Sequence, residues 1–226
     1  MIRLKDVSKA YRTGELITPV LENINLSIEQ GEFLAIVGPS GSGKSTLLNL
    51  IGGLDQADKG HLVVLETELS KLSTKELTIF RSHHFGFIFQ SFNLLQSLTV
   101  FENISFPLTT LLDERHTKFK VEELLKTIDM FDQKEKYPDQ LSGGQKQRVA
   151  VARALVVSPK IVFADEPTAN LDSKTAQKVL RLMRDMCHHN KTTFIFSTHD
   201  PQIMALADRI VTLKDGQIAS DERKSL

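Results

Sequence analysis

Two glycine-rich stretches of this chain have the residue types and spacing to seat anions. The first, Gly38-Pro39-Ser40-Gly41-Ser42-Gly43-Lys44-Ser45, fits the pattern G-x-x-x-x-G-K-[ST], with an apolar run before it and a helix-like run after it. Glycines let backbone N–H groups approach phosphate oxygens with no Cβ in the way. Lys44 then reaches the β- and γ-phosphates, and Ser45 is placed to hold Mg²⁺. Gly38, Pro39, Ser40, Gly41, Ser42, Gly43, Lys44, Ser45 and the following Thr46 are therefore assigned to a nucleotide. The second stretch is Leu141-Ser142-Gly143-Gly144-Gln145, which opens another helix-like run. Unpaired N–H groups and the helix dipole favour an anion there as well. Two such helix starts in one chain pose the question of one nucleotide or two.

Further polar residues stand where strands end. Asp165-Glu166 closes the apolar run Ile161-Val162-Phe163-Ala164. A carboxylate there can take the Mg²⁺ side, and its neighbour can polarise an attacking water. Asp165 is the metal candidate and Glu166 the general base. His199 follows Phe194–Thr198, and either touches the γ-phosphate or is a structural hydrogen bonder. Gln90 follows Gly86-Phe87-Ile88-Phe89, and is either an amide for Mg²⁺ and water or a surface glutamine. Tyr11 can stack on an adenine ring or pack in the core. His83-His84 and His188-His189 are neighbours that do not share a face of a helix or a strand, so they read as solvated rather than as metal ligands.

The elements that must position these residues follow from periodicity. Phe33–Val37 is a continuous apolar run, as in a buried parallel strand, and Ile161–Ala164 and Thr193–Ser197 are two more buried-strand candidates. Ser45–Leu54 is expected to be helical, and Val179, Leu180, Met183, Met186 and Cys187 share one helical face. Strand–helix–strand alternation implies a parallel sheet with right-handed crossovers. Leu4–Val7, Ile24–Ile28 and Leu62–Leu65 make the first third β-rich. Asp215-Gly216 between Arg209–Leu213 and Gln217–Ala219 reads as a hairpin turn. A helical segment, with Val121, Leu124, Leu125, Ile128 and Phe131 on its period, is set between strands over about 91–158. The polar end, Ser220–Leu226, is expected to fray.

The chain has 226 residues, enough for one large α/β domain with an inserted sub-domain. Lys+Arg and Asp+Glu are equal at 28, so the formal net charge is zero, which argues against bulk electrostatic binding of nucleic acid. The single cysteine, Cys187, allows no internal disulfide and fits a reducing compartment. The start has no apolar core of signal-peptide length, and no run approaches the ~20 apolar residues of a membrane helix. Action at a membrane would need another segment to cross it.

Taken in order, Tyr11, the phosphate loop, Gln90, Leu141–Gln145, Ile161–Glu166, Asn170-Leu171-Asp172 and His199 resemble the motif set of the ATP-binding cassette (ABC) ATPases over essentially the whole chain. The resemblance implies an α/β fold: a RecA-like P-loop NTPase core with a mostly parallel sheet, an N-terminal antiparallel β sub-domain and an inserted α-helical sub-domain. One nucleotide-binding domain would span 1–226. It also implies a head-to-tail homodimer around two ATP, each with Mg²⁺. Ser142, Gly143, Gly144 and Gln145 would then meet the γ-phosphate held by the partner, and Asp172 would lie at the dimer interface. Glu166, His199 and Gln90 are the implied catalytic set, with Ser45, Gln90 and Asp165 on the metal.

A narrower likeness rests on Phe85–Leu95, Leu98–Ile104, Tyr137-Pro138-Asp139-Gln140 and Thr13–Leu21. These segments are similar to the lipoprotein-releasing and macrolide-efflux branch. That branch implies a permease partner with a large extracytoplasmic domain, export or mechanotransmission of lipoproteins, peptides or drugs, and a peripheral place on the cytoplasmic face of the inner membrane. The competing role is an ABC ATPase that regulates a cell-division or signalling membrane complex. An ABC ATPase acting on DNA or ribosomes is disfavoured by the single cassette and zero net charge. Ala169 and Glu66 stand where glycines are frequent in this branch, and Glu66 puts the local turn in question, since a non-glycine residue resists positive φ. Phe92, Leu94, Leu95, Leu98 and Val100 either stand exposed and line a groove for a permease helix or form the helical sub-domain's own core.

Overall fold

The structure is a computed structural model, and it describes residues 1–109 and 111–224. Two sheets organise it. The first is antiparallel, with strands β1 (Ile2–Thr13), β2 (Leu16–Ile28), β4 (Lys59–Val64) and β5 (Thr67–Glu68) in the order β2-β1-β4-β5. The second holds β3 (Phe33–Val37), β6 (Phe85–Ile88), β7 (Ile161–Asp165), β8 (Thr193–Ser197), β9 (Arg209–Lys214) and β10 (Gln217–Arg223), in the order β10-β9-β3-β8-β7-β6. In it β9, β3, β8, β7 and β6 run parallel, and β10 returns antiparallel. This is the mixed α/β architecture expected from the motifs.

Burial on both faces explains the unbroken apolar runs of this sheet. Leu34, Ile36, Ile161, Phe163 and Ile195 face the antiparallel sheet and α1 (Lys44–Ile51). Phe33, Ala35, Val162, Ala164, Phe194 and Phe196 face α5 (Gly143–Leu155), α6 (Ser173–Asn190) and α7 (Pro201–Leu206). A third core joins α5 to α3 (Val100–Ser105) and α4 (Glu114–Thr127), which lie between β6 and β7 in the chain. Helix α2 (Thr74–His84) leads into β6.

Several local expectations need correction. Helix α1 ends at Ile51, short of Leu54, because Gly52 and Gly53 follow, Gly53 at φ +62°. Asp215-Gly216 does turn the β9–β10 hairpin, but the chain beyond it is ordered. The strand β10 runs to Arg223, held by Arg209, which is 5% exposed and donates from Nε and Nη2 to Asp221 at 2.6 Å each. That pair holds Asp221 below the usual carboxylate range, and Ser225 and Leu226 lie outside the described residues. At Glu66 the doubt about the turn resolves differently: Leu65 (φ +49°) and Glu66 (φ +64°) both take the left-handed region, forming the two-residue β4–β5 turn without glycine. His84 is half-buried and packs its ring on Phe80 at 4.9 Å rather than standing in solvent.

The proposed exposed groove is not formed by the residues named for it. Leu94 and Val100 belong to the third core, 8% and 0% exposed, and only Leu95 of the five is fully surface-placed. An apolar run at helical spacing looks the same whether it faces a partner or its own core. Leu94→Glu is expected to destabilise the fold by about 3 kcal/mol or more in chemical denaturation, and Leu95→Glu to stay within about 0.5 kcal/mol.

Candidate functional site

The loops leaving the C-terminal ends of β3, β6, β7 and β8 form one rim, where open α/β sheets place ligands. The phosphate loop occupies the end of β3. Gly38 sits at φ +150°, and a Cβ there would lie 2.2 Å from the carbonyl oxygen of Leu213. Gly43, at φ +100°, is wedged against Leu21 and the Val20 carbonyl and caps α1. Lys44 Nζ donates to the carbonyls of Gly38 and Pro39, both at 2.9 Å, so the ammonium closes over the loop's own carbonyls. Ser42 Oγ is buried with no partner among the described residues. Ser45 Oγ donates to the Asp165 carboxylate, at 3.2 Å to Oδ2. Ser45, Phe89 and Asp165 also line one small cavity of about 30 Å³. A hydroxyl and a carboxylate converging beside a lysine are an oxygen-donor set suited to a hard divalent cation.

Glu166 lies one residue beyond the end of β7, in the left-handed region at φ +48°, strained for a glutamate. Its N–H donates to Ser197 O at 2.9 Å, which fixes that turn to β8. Its side chain is 13% exposed, and Oε1 accepts from His199 Nδ1 at 2.6 Å. Oε2 has only Thr198 Oγ1, at 3.5 Å. The structure thus joins Glu166 to His199, so His199 is a hydrogen bonder to the candidate base, with its ring otherwise solvent-exposed. Gln90 is exposed two residues past β6, and its main-chain carbonyl accepts from Asn170 Nδ2 at 3.4 Å.

At the start of α5, Ser142 Oγ accepts from the Gln145 N–H at 3.3 Å and Gln145 Oε1 accepts from the Ser142 N–H at 2.9 Å. This capping box uses the Gln145 carbonyl internally while leaving the Ser142 hydroxyl proton free to donate outward. Ser142 and Gly143 are exposed, and a Cβ on Gly143 would meet nothing within 4 Å. No hydrogen bond among the described residues joins Ser142–Gln145 to the phosphate loop. Asp172 caps α6 by accepting from Lys174 and Thr175, and the Thr175 hydrogen bonds hold it below the usual carboxylate range.

Tyr11, 41% exposed, is neither stacked in the core nor free: its hydroxyl donates to Asp55 Oδ2 at 2.8 Å. Lys9 and Asp55, absent from the sequence-derived set, complete this corner. A strand lysine and a loop aspartate far apart in the chain carry no motif that would reveal them. Arg153 was likewise not singled out. It donates from α5 to the carbonyls of Phe92 (2.8 Å) and Asn93 (2.5 Å), tying the segment after Gln90 to the glycine-led helix.

The family model described as ABC transporter matches residues 21–169. The chain belongs to the ABC transporter family. It is 46% identical to the macrolide export ATP-binding/permease protein MacB of Pasteurella multocida over 98% of its own length and 34% of MacB. It therefore spans about a third of the MacB relatives it matches. It is also 46% identical to the ABC transporter ATP-binding protein MJ1508 of Methanocaldococcus jannaschii, over 96% of this chain and 97% of that one. The fold superposes on the dimeric ATP-binding cassette MJ0796 bound to ADP and Pi with a TM-score of 0.95, at 40% identity and full coverage of both chains. The α/β cassette fold read from the motifs is thereby established. No helix among the described residues is long and apolar enough to cross a membrane.

Because its Cβ meets a backbone carbonyl, Gly38→Ala is expected to abolish ATP binding in calorimetry and to lower the unfolding midpoint. Gly41→Ala, with open space around it and φ +79°, is expected to cost only about 1 kcal/mol of stability.

Proposed function

We propose that this cassette binds and hydrolyses ATP as a head-to-tail homodimer and drives a membrane permease. The observation that carries the reading is the convergence of Ser45 with Asp165, and of Glu166 with His199, on the rim beside Lys44. The likeness to a dimeric cassette described with ADP and Pi supports it.

In this reading Lys44 exchanges the Gly38 and Pro39 carbonyls for β- and γ-phosphate oxygens, and the glycine N–H groups cradle the same phosphates. Ser45 and Asp165 hold Mg²⁺, with Gln90 beside them. When bound, Mg²⁺ would supply positive charge to offset that of the phosphates. His199 orients the Glu166 carboxylate by its hydrogen bond to Oε1, and Oε2 accepts the proton of a water. The water oxygen forms a bond to the γ-phosphorus as the bridging oxygen leaves with ADP. Ser142, Gly143 and Gly144 of the partner subunit donate to the γ-phosphate, and Gln145 stiffens that helix end. Asp172 lies at the dimer interface, and Tyr11 takes the adenine.

Permease coupling rests on the MacB names, which join ATP-binding and permease functions. A groove of about 300 Å³ lined by Phe85, Phe87, Phe89, Asn93, Pro107 and Arg153 replaces the one expected from Leu94 and Val100. A permease segment seated there would press on Asn93, which Arg153 ties to the helix led by Ser142. The cassette then sits on the cytoplasmic face of the inner membrane, under a permease with a large extracytoplasmic domain that acts on lipoproteins, peptides or drugs.

Glu166→Gln is expected to keep ATP affinity, lose turnover and accumulate an ATP-bound dimer in size-exclusion chromatography; turnover near the parent rate removes the base assignment. Lys44→Ala and Ser142→Arg should each be inactive alone. An equal mixture should recover roughly a quarter of the parent's rate, since mixed dimers hold one intact composite site. No recovery, with mixed dimers demonstrated, would overturn the two-site arrangement.

A further inference from the structure

Lys9, Tyr11 and Asp55 form a closed polar corner at the edge of the antiparallel sheet. Lys9 is 9% exposed, and its Nζ donates to Asp55 Oδ1 at 2.8 Å and to Gln56 O at 2.7 Å. The same ammonium lies 5.2 Å from the centre of the Tyr11 ring, over its face. Tyr11 Oη donates to the other Asp55 oxygen at 2.8 Å. The next turn of the loop repeats the tie: Asp58 Oδ2 accepts from the Ala10 N–H at 2.7 Å. Burial disfavours the Lys9 charge, but the Asp55 hydrogen bond and charge outweigh it and raise its pKa. Burial likewise opposes ionisation of Asp55, yet Lys9, Gln56 and Tyr11 together bring it below the usual range. The pair is thus charged at neutral pH, and its carboxylate accepts a full set of bonds.

This corner does more than hold a strand. An exposed tyrosine ordinarily rotates about two side-chain torsions. Here its hydroxyl is pinned and one ring face is covered by an ammonium, so the solvent-open surface of the ring is the face turned away from Lys9. Asp55 stands in the loop directly after α1, whose other end is the phosphate loop. One short helix therefore fixes the phosphate cradle at its start and the tyrosine at its finish.

We propose that Asp55 and Lys9 are positioning residues for the nucleotide base, holding the Tyr11 ring so that one face is presented, already ordered, at a set distance from the phosphate loop. The proposal rests on the reading of Tyr11 as the adenine platform. The gain is preorganisation: the ring's freedom is spent on folding rather than on binding. A second consequence is selectivity for the base. Loss of the tie is expected to weaken the part of the ligand that stacks more than the triphosphate cradle.

The test is calorimetric binding of ATP and of inorganic tripolyphosphate to the full chain and its variants, with thermal unfolding alongside. Tyr11→Phe keeps the ring and removes only the hydroxyl; Asp55→Asn removes the charge; Tyr11→Leu removes the platform. Tyr11→Phe and Asp55→Asn are each expected to weaken ATP about three- to tenfold with tripolyphosphate unchanged. The effects of the two should be less than additive in the double variant, because both act on the Tyr11–Asp55–Lys9 tie. Unchanged ATP affinity in Tyr11→Phe, with Tyr11→Leu weakened, overturns the positioning role and leaves the platform standing. Unchanged affinity in Tyr11→Leu overturns the platform itself. Equal weakening of ATP and tripolyphosphate in Tyr11→Phe shows a general structural effect, and also overturns the proposal. Tyr11→Phe alters no charge, so its result decides even where Asp55→Asn folds poorly.

Discussion

The parallel register of β6, β7, β8 and β3 is the constraint on which the rim depends. Ile88 pairs with Ala164, Ala164 with Phe196, and Ile36 with Ser197, so the strands end level. Gln90, Asp165, Glu166, His199 and Gly38 then leave the sheet side by side. A slip of one residue in β7 would move Asp165 by about 3.3 Å and turn its side chain to the opposite face. Such a slip is opposed from both sides. Val162 and Ala164 are wanted by the helices on one face, and Ile161 and Phe163 by the antiparallel sheet and α1 on the other. The placement of two carboxylates is therefore held by the packing of residues buried in the two cores.

Backbone strain collects where that rim must hand its chain onward. Glu166 at φ +48°, Phe92 at +62° and Asn93 at +49° are non-glycine residues in the left-handed region. Each such residue costs on the order of 1 kcal/mol, so each needs an external hold. Glu166 has the Ser197 carbonyl, and Phe92 and Asn93 have the guanidinium of Arg153. Burial lowers the pKa of Arg153, and its donors are spent on carbonyls rather than on a carboxylate. The hold on the segment after Gln90 thus comes from the same helix that begins with Ser142. One side chain joins the segment after Gln90 to that helix directly.

Legibility in the sequence follows the range of the interaction. The start of α5 was readable because its partners, Ser142 and Gln145, are three residues apart; the Asp172 cap of α6 has the same spacing but was not read. The phosphate loop was readable because glycine, lysine and serine at fixed spacing answer one local demand. The Asp55–Tyr11 bond was not, since 44 residues separate the partners and only the meeting of β1 with the loop after α1 brings them together. The extension of β10 from Ser220 to Arg223 was hidden for a related reason. Its residues are polar, and it is held by a buried arginine on its neighbour rather than by its own apolar face. Leu94 and Val100 stayed open between groove and core because a short apolar run carries no mark of which neighbour will cover it.

The same distinction clarifies the glycine-led helix. A helix start buried without partners is costly, but the start of α5 is exposed and partly satisfied from within. Ser142 and Gln145 exchange bonds, which fixes the direction of the first turn and leaves the hydroxyl proton of Ser142 and the N–H groups of the glycines unspent. Gly143 has open space where a side chain would be, so it serves no packing need within its own chain. Asn170 lies close to Gly144, and Asp172 caps the next helix with its carboxylate already occupied. An anion-binding helix end that is prepared, uncrowded and not hydrogen-bonded to its own phosphate loop is suited to an anion brought by a second copy of the chain. Closure would then respond to the γ-phosphate, the group that hydrolysis detaches, and that dependence lets a chemical step be read as a mechanical one.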